Sequence, residues 1–75
     1  MNKWISVDND LPKEFYKAKL VWVESESGSG TYMIASLDGD EDYSEWVEWT
    51  SDKNVEDLGY EVIAWRELPD EYRGE

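Results

Sequence analysis

Short apolar runs recur along the chain with the two-residue period of strands. Lys19–Glu24, Thr31–Leu37, Glu45–Thr50 and Glu61–Arg66 are each rich in β-branched and aromatic residues. Ser25–Gly30 separates the first two and contains only turn formers apart from Glu26, and Asp38–Asp42 separates the second from the third. Both breaks have hairpin length, and consecutive strands joined by short turns pair. The pattern predicts a mainly β fold (β or small α+β), a three- to four-stranded antiparallel meander with a short helical or loop cover.

Alternation assigns the faces. Leu20 and Trp22 oppose Val21 and Val23; Tyr32 and Ile34 oppose Met33, Ala35 and Leu37; Val47 and Trp49 oppose Trp46 and Glu48. Both faces are partly apolar, so something must cover one of them. The candidates are the N-terminal stretch around Trp4, Ile5, Val7 and Leu11, and the segment Ser51–Tyr60. Asp52 is placed to cap a helical turn through Lys53–Leu58, with Gly59 stopping it. Pro12 is placed to open another over Lys13–Lys19.

Composition adds constraints. Seventy-five residues, 1–75, make one small domain. Leu, Ile, Val and Phe supply only a fifth of them, a scarcity that five Trp and five Tyr offset by the area each ring buries. There is no Cys and no His, which excludes disulfides, Cys/His zinc sites and imidazole catalysis. No apolar run approaches membrane-spanning length, and no signal peptide pattern opens the chain, so a reducing, cytoplasmic setting is expected. The formal net charge is -12. It is uneven: residues 1–19 carry +1 and residues 20–75 carry -13. The acidity therefore belongs to the body of the domain.

The chain opens Trp4-Ile5-Ser6-Val7, reaches Leu11-Pro12, and closes Trp65-x-x-Leu68-Pro69. This bracketing resembles a family of small phage and prophage proteins of unknown function. Their members begin Trp-Ile-Ser-Val, reach Leu-Pro, cross a few strands and end near Trp-x-Pro-Leu-Pro. Here Ala64 stands where a His commonly precedes the Trp, and Glu67 replaces the first Pro. The resemblance implies a phage origin and a small β-rich domain, and carries over no catalytic residues. Physically, Trp4 and Trp65 read as core anchors joining the termini, or alternatively as exposed binding anchors.

The candidate chemistry is acidic. Asp38-Gly-Asp-Glu-Asp42 has the alternate carboxylates of a calcium loop, but Tyr43 and Trp49 stand where an EF-hand needs Gly and a bidentate acid. A weak cation site and a solvated turn are the alternatives there. Glu24, Glu26, Asp38, Asp40, Glu41, Asp42, Glu45 and Glu48 lie in or beside the two turns and the third strand, and Tyr43 and Trp46 are aromatic anchors among them. Rows of carboxylates at strand spacing imitate a phosphate backbone. A charge of -12 exceeds the roughly -2 to -8 that solubility asks of a small domain.

These features predict no enzyme, no cofactor, no metal, no membrane and no direct nucleic-acid contact. The expected partner is a basic surface of a host protein or nucleoprotein complex, bound by a monomer or small homo-oligomer. A phage-type inhibitor that mimics nucleic acid against a CRISPR effector, restriction enzyme or nuclease is the leading reading. The alternative is an accessory interaction module that binds through an apolar patch or strand edge, its acidity serving solubility only.

Overall fold

A computed structural model describes residues 3–68. Five strands form one antiparallel sheet: β1 (Ile5–Ser6), β2 (Ala18–Ser25), β3 (Gly30–Gly39), β4 (Ser44–Glu48) and β5 (Tyr60–Arg66), in the spatial order β1-β5-β2-β3-β4. The fold is mainly β, with one turn of 3-10 helix at Glu56–Leu58.

β2, β3 and β4 form the expected meander. β3 runs further than the apolar pattern suggests, through Asp38 and Gly39, so the second turn tightens to residues 40–43. Gly39 has a φ of 132°, and a Cβ there would meet the Tyr43 carbonyl, so only glycine fits this strand end.

The fourth predicted strand does not extend the meander. β5 instead pairs with the far edge of β2, Val21 opposite Trp65 and Ser25 opposite Tyr60, with a bulge where Trp22 gives way to Val23. The crossing segment, residues 49–59, has an apolar side chain to bury. Val55 is 1 % exposed and sits among Val21, Val23, Ala35, Val62 and Trp65. A fifth strand, β1, pairs Ile5 with Trp65 and Ser6 with Ala64. Two residues give too short an alternation to stand out in the sequence.

The alternation assigned the faces correctly. Val21, Val23, Ala35, Leu37 and Trp65 are buried on the core face, with Ile5, Val7, Met33, Trp46 and Tyr60 packed against the cluster. Val55 and Tyr60 from Ser51–Tyr60, and Ile5 and Val7 from the N-terminal stretch, belong to or pack against this cluster, whereas Leu11 is exposed. The Trp65 indole N–H donates to the Asp10 carbonyl at 3.0 Å, so the ring is buried without losing a hydrogen bond.

Three expectations need correction. Asp52 does not cap a helix: it lies at φ 61° in the turn after β4, and Val55 precedes the 3-10 turn. The turn does stop at Gly59, which is left-handed at φ 90°. Lys13–Lys19 forms no helix, because Tyr16 already pairs with β3 (its N–H donates to the Leu37 carbonyl at 3.0 Å) and β2 starts at Ala18. Trp4 is not a core anchor. It lies on the opposite face, 38 % exposed, while Trp65 alone joins the core.

Among the described residues Lys19 is the one charged side chain buried on the core face. Its ammonium meets Glu67 at 2.8 Å and Glu14 at 3.1 Å. Burial alone would lower its pKa, but the hydrogen bonds to Glu67 and Glu14 carry it above the ordinary lysine value.

Candidate functional site

The predicted acids divide among three places. The turn between β2 and β3 and the turn between β3 and β4 lie at opposite ends of β3, a ten-residue strand, so Glu24 and Glu26 do not meet Asp38–Asp42 directly. The 49–59 crossing joins part of what β3 separates.

Beside Val55 lies a groove of about 420 Å³. Tyr43, Trp46 and Tyr60 contribute aromatic rings, Val7, Leu11 and Val62 contribute apolar surface, and Glu45, Glu56 and Glu61 contribute carboxylates. A second groove, of about 750 Å³, is lined by Glu24, Glu26, Glu56 and Glu61 with Ser25, Ser27 and Gly59. The two share Glu56, Tyr60 and Glu61, and among the described residues no Lys or Arg lines either one. Five carboxylates from β2, β4, β5, the first turn and the crossing segment therefore line these two neighbouring grooves.

Local structure places each group. Val55 N–H donates to the Trp46 carbonyl at 3.0 Å, and Tyr60 N–H donates to the Val55 carbonyl at 3.3 Å, so the crossing is pinned at both ends. Asn54 reaches back with its side-chain amide to Glu45 Oε1 at 3.0 Å. The Tyr43 hydroxyl donates to the same oxygen at 3.2 Å. This hydrogen bond, reinforced by the Glu45 charge, holds the Tyr43 pKa above its ordinary value, so its hydroxyl stays a donor.

The remaining predicted residues go elsewhere. Asp40 Oδ1 accepts the backbone N–H groups of Asp42 (2.9 Å) and Tyr43 (3.0 Å), which folds the turn and aims Tyr43 at the groove. Glu41 and Asp42 are exposed on that turn and line neither groove. Asp38 accepts the Ser36 hydroxyl at 2.6 Å and lies with Glu48 around a separate depression of about 250 Å³. The Ser51 hydroxyl, the Thr50 amide and hydroxyl and the Ser51 amide around Glu48 favour its charged form and hold its pKa down at about 2. Among the described residues no three carboxylates converge closely enough to hold a metal ion. Among the described residues no helix is long and apolar enough to cross a membrane.

Sequence reasoning missed Glu56, Glu61, Asn54 and Tyr60. It also missed an aromatic cluster on the opposite face. There Tyr32 stacks on Trp4 at 6.0 Å and meets Trp22 edge-on at 5.2 Å, with the Arg66 guanidinium 5.6 Å from the Trp4 ring centre. Tyr32 is 63 % exposed. The pairing of Trp22 with Tyr32 follows from hairpin register, but Trp4 arrives from the chain's other end.

No family model, curated protein or solved structure compared with the chain matches it. The likeness to the phage proteins rests on the end motifs alone.

Proposed function

We propose that this chain is a phage-encoded acidic binding protein that mimics the phosphate backbone of nucleic acid and inhibits a host DNA- or RNA-handling defence complex, such as a CRISPR effector or nuclease. One observation carries the reading: five carboxylates line two neighbouring grooves that, among the described residues, no basic side chain lines. Uncompensated like charges in a concave surface repel one another and focus a negative field. A basic trench built for phosphates relieves that repulsion, and the attraction speeds encounter. The exposed acids Glu41 and Asp42 extend the field beyond the groove.

The test is inhibition of DNA cleavage by a panel of purified CRISPR effectors, restriction enzymes and nucleases. The account expects inhibition of at least one enzyme, relieved by excess duplex DNA and by rising salt. Reversal of Glu26, Glu56 and Glu61 to Lys is expected to abolish it, all three being exposed. Asp40 is left intact, because its carboxylate holds the turn. Inhibition that ignores salt, or survives the triple reversal, rules the mimicry out.

The exposed aromatic cluster around Tyr32 favours a second reading, an accessory module that binds through apolar contact. Binding of that kind is insensitive to salt and lost on Tyr32→Ala.

A further inference from the structure

The groove beside Val55 differs in chemistry from the depression it adjoins, whose one aromatic ring among the described residues is that of Tyr60. Its walls are the rings of Tyr43, Trp46 and Tyr60, and its charges are Glu45, Glu56 and Glu61. Glu45 is oriented in advance. Both of its donors, the Tyr43 hydroxyl and the Asn54 amide, bind Oε1, and among the described residues Oε2 accepts no hydrogen bond. An apolar ligand here would bury that carboxylate without a partner, which is costly. A cation satisfies it. The aromatic walls select among cations: a planar, weakly hydrated guanidinium stacks on rings and donates to carboxylates in the same plane, whereas an ammonium is compact and strongly hydrated.

We propose that this groove is a socket for one arginine side chain of the partner, its guanidinium against the aromatic walls and its N–H groups on Glu45 and Glu56. The volume of about 420 Å³ falls within the range of small ligand sites. The assignment rests on the acidic-groove reading above and adds the residue type that the groove recognises. A phosphate-binding surface is rich in arginine, so the same trench that accepts the mimic supplies the anchor.

The experiment is an NMR titration of the full chain with N-acetylarginine N-methylamide, and with its lysine and citrulline counterparts. The arginine compound is expected to shift the Trp46 indole N–H and the Tyr43 and Tyr60 ring signals saturably. The neutral citrulline compound is expected to bind on the order of tenfold more weakly, and Glu45→Gln to weaken arginine binding by a similar factor. Glu56→Gln provides a second variant, since this exposed side chain makes no hydrogen bond among the described residues that the fold would miss. Citrulline or lysine binding as tightly as arginine overturns the socket, as do shifts centred on Trp4 and Trp22. Enzyme inhibition without any arginine response overturns the socket and leaves the mimicry standing. An arginine response with no enzyme inhibited does the reverse.

Discussion

Val55→Ala is the change that probes how the groove is built. Val55 is the only fully buried residue in the 49–59 crossing, and its backbone joins β4 to β5 through two hydrogen bonds. The substitution removes two methyl groups, worth about 1.6 kcal/mol in transfer alone at ~0.8 kcal/mol each. The space left among Val21, Val23, Ala35, Val62 and Trp65 adds a cavity term, for a total of about 2–3 kcal/mol. A domain below 80 residues holds only about 3–5 kcal/mol in reserve. At ~4–8 °C per kcal/mol the melting temperature should fall by roughly 10–20 °C. Thermal unfolding followed by far-UV circular dichroism measures it, with Leu58→Ala as the control because Leu58 is only half-buried in the same segment. A fall of less than about 4 °C, or one no larger than that of the control, would refute the claim that Val55 fastens the crossing to the sheet.

Three further outcomes follow from particular contacts. The Glu48 carboxyl, held at about 2, is expected to stabilise the fold above its unfolded value of ~4.3 and to lose that contribution as pH falls towards 2; a Glu48→Gln variant should show a shallower acid loss, and a carboxyl titration with a midpoint near 4.3 would contradict the hydrogen bonding assigned to it. Gly30→Ala should push the Trp22 indole off the opposite face, because the new Cβ runs into that ring; overpacking of this kind costs about 1–3 kcal/mol, and an unchanged set of Trp22–Tyr32 cross-peaks would refute it. A rise from low to moderate salt should raise the melting temperature, since screening relieves repulsion among the carboxylates; a flat profile would show that the charge of -12 carries no folding cost.

What was legible in the sequence was local. Alternation placed Val21 and Val23 on one face and Trp22 on the other, and the turn formers marked the hairpins. The need to cover an apolar face pointed to the N-terminal stretch and to Ser51–Tyr60. What was hidden depended on distant parts of the chain meeting. β5 lies beside β2 rather than β4, a choice made by where Val55 and Trp65 are buried together. Glu56 and Glu61 enter the groove only because of that crossing, and no local pattern connects them to Glu45. In the sequence the acidic run reads as one surface because its members lie close together. In the fold Asp40 is spent on its own turn, and Asp38 and Glu48 face a different depression. Tyr43, Glu45 and Trp46, close in sequence, line the same groove.

The most direct measurement compares two charge reversals of equal size. In one, Glu26, Glu56 and Glu61 become Lys; in the other, Asp8, Glu41 and Asp42 do, all exposed and outside both grooves. Each is assayed against whichever DNA-handling enzyme the wild-type chain is found to inhibit, with melting temperatures recorded alongside. If the concave acidic surface is the binding site, the first variant loses inhibition while the second keeps most of it, weakened only through the long-range field. Equal losses in two folded variants would mean that net charge alone drives binding, and the groove would have no special part in it.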